Sequence, residues 1–181
     1  MKNIKKKLKS INIWLIRHWY IVIIALLILL LGKNLITFIT LATMIIAASF
    51  ISLYRKILPL NLGLELITFI VIVVSFAINP FVAWLCAIII IIASHFLNHN
   101  FCFFILIKII VYGIVSLTAL FLTPTLTAAM ILVILKNIIF WTITFSMNPA
   151  KAWMDTPSNL INIAFNYYLF SRFAEFFIGL I

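Results

Sequence analysis

Residues 125–147 read TLTAAMILVILKNIIFWTITFSM. Apart from hydroxyl side chains near both ends, the stretch is apolar until Lys136 and Asn137 interrupt it at the centre. A helix needs about 20 mostly apolar residues to cross a bilayer, so this stretch predicts a transmembrane helix. A cation in the middle of such a helix is costly in lipid, and Lys136 is therefore the leading candidate for an internal site.

The composition of the whole chain indicates that this helix is one of several. Of 181 residues, 67% are hydrophobic and 9% are charged, whereas soluble domains average about 45–50% and about 25%. Inside lipid, only helices and closed barrels satisfy the backbone, and barrel strands alternate apolar and polar residues. Unbroken apolar runs at 21–31 and 87–93 exclude that alternation. We therefore predict an all-α polytopic transmembrane helical bundle.

The same length criterion predicts seven spans, or six if a weak one does not cross. They cover residues 11–31, 35–53, 62–78, 81–97, 101–122, 125–147 and 157–181. Prolines at 59, 80, 124, 149 and 157 lie between these segments or at their limits, as expected because proline marks helix boundaries. The last span is expected to follow a loop at 147–156, with Asp155 or Thr156 as its cap and Pro157 in its first turn. We interpret 1–181 as one membrane domain, with a tail at 1–10, a first helix at 11–31 and a six-helix core at 35–181.

The chain carries a net charge of +10, from thirteen Lys and Arg against three acids. Five of the lysines open the chain: Lys2, Lys5, Lys6, Lys7 and Lys9. A basic tail beside an apolar span contacts anionic lipid and sets orientation, so we do not interpret it as a nucleic-acid site. No small-residue cleavage site follows the first span, which is expected to stay uncleaved. These features predict a multi-pass protein of the cell membrane with a cytoplasmic N-terminus.

Ionisable residues inside predicted spans are candidates for function, because charge is costly there. They are Glu65, Lys108, Lys136, Arg172 and Glu175. Lys136 is expected to face the bundle interior, toward Glu65 or toward polar residues of the last span, and either lines a ligand pocket or forms a structural pair. Lys108 is close enough to its helix end to reach the headgroups. Glu65 suits the first turn of a helix.

The last predicted span has two polar faces. Asn159, Asn162 and Asn166 recur at helical spacing on one of them, where asparagine hydrogen-bonds a neighbouring helix or lines a cavity. Arg172 and Glu175, three residues apart, are interpreted as an intramembrane charge pair pointing the other way. The predicted ligand-binding set is Lys136, Asn137, Asn159, Asn162 and Asn166.

The sequence offers little catalytic chemistry. It contains no nucleotide, hydrolase or metalloprotease motif, so no enzyme activity and no cofactor are predicted. His95, His99 and Cys102 are close in sequence, but a metal site needs three or four placed ligands. We therefore interpret the two histidines as interfacial residues near the headgroups, and Cys102 as a small buried apolar residue. Energy for any transport would therefore have to come from a partner subunit.

Three segments carry a family resemblance: the tight turn AINPF at 77–81, KIIVYGIVSLTALFL at 108–122 and TPSNLINIAFNYYLFSRF at 156–173. From about residue 35 onward the chain resembles the six-helix substrate-binding subunits of energy-coupling-factor transporters and their relative, the rod-shape protein MreD. The resemblance implies a subunit that binds a small ligand, or that organises the cell envelope, together with membrane partners. It assigns no individual binding residue.

Two main functions stay open at this point. A transport or small-ligand-binding subunit would contain a cavity reached by Lys136 and the asparagine face. Its intramembrane cations outnumber its acids, which favours an anionic or amphipathic ligand. A structural scaffold would have no cavity and would pair Lys136 internally. A lipid-modifying enzyme is a third, less supported reading, because no acid–base pair lies within one site.

Overall fold

The computed structural model describes residues 35–51, 64–98 and 104–180. Within those ranges the chain forms six α-helices and no strand, which confirms the predicted all-α helical bundle. The helices are α1 (Leu35–Ile51), α2 (Leu66–Ala77), α3 (Pro80–Asn98), α4 (Phe104–Thr118), α5 (Leu126–Met147) and α6 (Pro149–Leu180), and a short 3-10 helix, Ala119–Phe121, continues α4. The predicted lipid-binding lysines of the tail, the first span at 11–31, His99 and Cys102 lie outside the described residues.

Side-chain caps explain where three of the helices begin. Asn79, Thr125 and Asn148 each accept a hydrogen bond from a backbone N–H two or three residues later, at 2.7, 3.2 and 3.0 Å respectively. Such caps satisfy N–H groups that a helix start leaves without partners. Pro80 and Pro149 then occupy the first position of α3 and α6, where the missing N–H of proline costs nothing.

α2 is the central helix of the bundle. Every residue from Ile67 to Ser75 is buried, and α2 contacts each of the other five described helices. A helix that is hydrophobic all round is expected in such an interior position. Phe69 of α2 packs against Phe170 and Phe177 of α6, with ring centroids 5.0 and 5.9 Å apart. These contacts fix α2 against the last helix.

Three of the described helices are long and apolar enough to cross a membrane: α3, α4 with its 3-10 extension, and α5. α1 and α2 are apolar but shorter. Large apolar side chains point outward, among them Ile110 at 60% exposure and Ile138 at 57%. Extended apolar surfaces of this kind are stable against lipid or an apolar partner, not against water. The chain is therefore a membrane protein, while the number of complete crossings stays a prediction.

α2 covers less of the bundle than the span predicted at 62–78. Residues 64 and 65 are not helical, and the 12 residues of α2 extend about 18 Å at 1.5 Å per residue. The apolar layer of a bilayer is roughly 30 Å thick. Because Glu65 reaches Lys136, the eleventh of the 22 residues of α5, the N-terminus of α2 lies inside the bundle rather than at its end.

The prediction of a loop at 147–156 is wrong, because these residues are mostly helical. α6 continues without interruption for 32 residues and contains Pro157 in its interior. Asn148, rather than Asp155 or Thr156, supplies the cap. The sequence pattern placed the boundary at the proline, which normally ends a helix or removes one of its backbone hydrogen bonds.

Contacts with α5 explain why the helix includes this proline. Trp153 of α6 packs edge-on against Trp141 of α5, with ring centroids 5.8 Å apart. The Trp141 indole N–H also donates to Thr156 Oγ1 at 3.3 Å, and Ala152, in the first turn of α6, is completely buried. This packing stabilises the first two turns of α6 and compensates for the loss of the backbone hydrogen bond that Pro157 cannot donate.

Candidate functional site

Lys136 points into the interior of the bundle. Its side chain is 8% exposed, and its Nζ lies 3.2 Å from Glu65 Oε2. Nζ also donates to Asn162 Oδ1 at 3.4 Å and lies 6.0 Å from the centroid of the Tyr112 ring. The ammonium group is therefore surrounded by a carboxylate next to α2, an amide of α6 and an aromatic face of α4.

Glu65 occupies the N-cap position of α2 but does not cap that helix with its side chain. Its backbone is extended, with φ −125° and ψ 108°, and its carboxylate pairs with Lys136. The start of a helix carries about half a positive charge, so the helix and the lysine both stabilise the carboxylate. Glu65 therefore lies at the start of a helix, as the sequence favours, and also forms an ion pair inside the bundle.

Asparagine side chains connect α5 to α6 beside this pair. Asn137 Nδ2 donates to Asn162 Oδ1 at 3.2 Å and to the Val133 carbonyl at 2.8 Å. Asn166 Nδ2 donates to the Asn162 carbonyl one turn earlier at 2.8 Å. The Oδ1 atoms of Asn137 and Asn166 are buried and accept no hydrogen bond from the described residues. The network therefore leaves two acceptors unused in the interior.

Two adjoining cavities lie next to the Glu65–Lys136 pair and share Glu65, Lys108 and Tyr112 in their walls. The larger, about 230 Å³, is bordered by the C-terminal ends of α1 and α3 and by the N-terminal ends of α2 and α4. The smaller, about 40 Å³, lies between α4, α5 and α6. Further polar side chains in its wall are Lys136, Asp155, Ser158, Asn159 and Asn162. Glu65 therefore borders both the larger space and the buried lysine.

The chain matches no protein-family model, characterised protein or solved structure with which it was compared. Within residues 35–51, 64–98 and 104–180, no group of three or more His, Cys, Asp or Glu side chains is placed to hold a metal ion. The chemistry that the site offers is charge pairing and hydrogen bonding.

The predicted ligand-binding residues lie in one region of the structure. Lys136, Asn137 and Asn162 interact directly. Asn159 shares the wall of the smaller cavity with Lys136 and Asn162. Asn166 is fully buried one turn further along α6. Whether any of them binds a ligand stays a prediction.

Arg172 and Glu175 do not contribute to this region. Both are exposed near the C-terminal end of α6, and among the described residues no ion pair joins them. Glu175 lines a separate cavity of about 210 Å³ beside Leu126, at the start of α5. At this end of the bundle each side chain can extend toward the headgroup region, where a charge needs no protein partner.

Sequence reasoning missed two residues of the site. Asp155 was assigned to a helix cap and Lys108 to the headgroup region, yet both line the smaller cavity. A signal for Asp155 existed, because positions 155, 159, 162 and 166 follow one helical face. It is recognisable once α6 is extended past Pro157. Lys108 was among the ionisable candidates because it lies inside a predicted span, but nothing in the sequence distinguishes its position from one whose side chain reaches the headgroups.

Proposed function

We propose that this protein is a membrane-embedded subunit that binds a small polar molecule between its helices and acts in transport together with partner proteins of the cell membrane. The observation that carries the proposal is the cavity of about 230 Å³ at the inner end of α2. Since a water occupies roughly 30 Å³, this space is large enough for several waters or for one small organic molecule.

The wall of the larger cavity suits a polar ligand. Glu65 and Lys108 supply opposite charges, and Ser94 and Tyr112 supply hydroxyl groups. The rest of the wall is mainly aliphatic, including Ile67, Ile90 and Ile91. Ligand sites typically combine an apolar wall with a few placed polar groups. The start of α2 also borders the space, and helices that begin inside a membrane domain provide polar ends for substrates in transporters.

The resemblance to substrate-binding subunits of energy-coupling-factor transporters supports the need for partners. The chain has no nucleotide-binding motif with which to drive transport itself. With the cytoplasmic N-terminus that the basic tail predicts, the ends of α1, α3 and α5 would face the cytoplasm. The larger cavity, which lies near the ends of α1 and α3, would then open toward the cytoplasmic side.

Retention of a small molecule by the purified protein tests this proposal. Protein in detergent micelles is incubated with a small-molecule extract of cells, washed and analysed by mass spectrometry. The wild type should retain a molecule that Ser94→Phe does not, because the phenyl ring occupies the larger cavity. Ile92→Phe is the matched control on the same helix, since Ile92 is 37% exposed and points outward. Equal retention by both variants, or none by the wild type, would refute the proposal.

One observation favours a second function, that of a structural scaffold resembling MreD. Lys136 is held inside the protein by Glu65 and Asn162, as expected of a residue that joins helices. In a scaffold, water would occupy the cavity and Ser94→Phe would leave assembly with partners unchanged. The retention experiment separates the two functions, because a scaffold has no small molecule to lose.

A further inference from the structure

We propose that the molecule bound in this site carries no net charge at neutral pH, and that a small zwitterion fits better than an anion. The inference rests on the proposed function and concerns the same two cavities. It follows from which charged side chains their walls contain. The sequence favours an anionic or amphipathic ligand, and the charged side chains of the cavity walls lead to a different expectation.

The charged side chains in the described walls balance. Glu65 and Asp155 contribute carboxylates, and Lys108 and Lys136 contribute ammonium groups. His95, which borders the larger cavity, is neutral in the formal count. Two of the three acidic residues of the chain thus border one internal region. The fractional positive charge at the start of α2 lies against Glu65 and is less than one ionic charge.

The sequence suggested an excess of positive charge because it assigned three residues differently. Arg172 and Glu175 were both included among the intramembrane charges, but both are exposed near the C-terminal end of α6 and line neither cavity. Asp155 was excluded as a loop residue, but it lies in the second turn of α6 and borders the smaller cavity. Removing Arg172 and Glu175 together leaves the excess of one positive charge unchanged, and including Asp155 then brings the walls to neutral.

A balanced wall selects against a ligand with a net charge. Beside a shielded group such as Lys136, whose side chain is 8% exposed, a charge without an opposite partner is strongly disfavoured. An anion would pair with Lys108 or Lys136 and leave a carboxylate without its counter-charge. A zwitterion can place its carboxylate near a lysine and its ammonium group near Glu65 or Asp155, so that the total stays neutral.

Three probes of nearly equal size test the inference: β-alanine, propionate and propylammonium. Their binding to the full-length protein is measured by calorimetry and by the shift of the unfolding temperature, at one pH and one salt concentration. We expect β-alanine to bind the wild type at least about tenfold more tightly than either singly charged probe, a factor equivalent to about 1.4 kcal/mol.

Charge variants of the wall give a second readout. Asp155→Asn leaves an excess ammonium group, so propionate should become the preferred probe. Lys108→Gln leaves an excess carboxylate, so propylammonium should become preferred. Glu175→Gln and Lys151→Gln change exposed charges that line neither cavity, and should keep the preference of the wild type.

The outcomes separate this inference from the function on which it rests. Tighter binding of propionate than of β-alanine by the wild type overturns the inference but supports a ligand site. The inference is likewise overturned, and a ligand site still supported, if neither Asp155→Asn nor Lys108→Gln changes which probe binds most tightly. If none of the three probes binds the wild type or the two wall variants, the proposed ligand-binding function fails, and the inference fails with it.

Discussion

Lys136 Nζ and Glu65 Oε2 lie 3.2 Å apart and connect the middle of α5 to the residue that precedes α2. The lysine side chain is 8% exposed and the glutamate side chain 22%, so the lysine is the more shielded partner. Taking charges out of water is costly, and a buried pair depends on good geometry and additional hydrogen bonds. Asn162 Oδ1 accepts one such hydrogen bond from the lysine.

Removing one member of this pair should destabilise the protein more than removing both. We expect Lys136→Met alone to lower the free energy of unfolding by about 3 kcal/mol, because it leaves the Glu65 carboxylate without its partner. The double variant Lys136→Met/Glu65→Gln should recover most of that loss. Reversible unfolding in detergent micelles measures both. Losses that simply add in the double variant would contradict the expected coupling.

Lys136→Met also distinguishes a structural role of the lysine from a ligand-binding role. If Lys136 contacts the ligand, the Met variant should remain folded under mild conditions and lose small-molecule retention. If the lysine has only a structural role, retention should recover in the double variant as stability recovers. Mass spectrometry of retained molecules, performed beside the unfolding measurement, separates the two roles.

Two asparagines of α6 should respond differently to replacement by leucine. Asn162 accepts hydrogen bonds from both Lys136 and Asn137. Asn162→Leu should therefore cost about 1–3 kcal/mol, because each of these buried side chains loses one of its two acceptors. Asn166 has a buried Oδ1 with no partner among the described residues, so Asn166→Leu should be nearly neutral or stabilising. Unfolding free energies of the two variants check this, and equal losses would count against the described network.

Gly113 permits close packing of α4 on α3. A Cβ atom at this position would lie 3.0 Å from the Trp84 indole nitrogen, which donates to the Ile109 carbonyl at 3.0 Å. Gly113→Val should therefore displace the indole and cost about 2 kcal/mol, as expected for overpacking. Gly179→Val is the control, because no atom lies within 4 Å of a Cβ there. A shift in unfolding temperature confined to the Gly113 variant is the expected result.

The basic tail predicts the orientation of the protein. A reporter fused at Lys5 should be active in the cytoplasm, because lysines near a first span keep it on that side. Neutralising Lys2, Lys5, Lys6, Lys7 and Lys9 together should produce molecules of mixed orientation. Neutralising Lys151 alone should leave the orientation unchanged. An external reporter in the wild type would refute the cytoplasmic N-terminus.

The sequence predicts the fold best where the apolar pattern and a cap agree. The spans predicted at 81–97 and 125–147 match α3 and α5 within one residue at each end, because Asn79 and Thr125 act as caps directly before long apolar runs. The inner start of α2 and the early start of α6 depend on Glu65, Trp141 and their tertiary partners, which a local pattern does not contain.

The interior position of Lys136 could likewise be predicted from the cost of a charge in lipid. Glu65 could be predicted only as one of two possible partners of Lys136, beside the polar residues of the last span, because it comes from a distant part of the chain. Asp155 could not be placed while Pro157 was interpreted as a helix boundary. The balance of charge in the cavity walls therefore required the structure, although each residue that contributes to it is visible in the sequence.

The central position of α2 has a consequence for the biosynthesis of the protein. Glu65 and Lys136 are 71 residues apart in the chain, and ribosomes add roughly 5–20 residues per second. Glu65 therefore exists for roughly 4 to 14 s before Lys136 has been made. During that time the carboxylate has to stay protonated, hydrated or in contact with the insertion machinery. The contact between the start of α2 and Lys136 can form only after α5 has entered the membrane. The central helix of the bundle is therefore among the last to reach its final position.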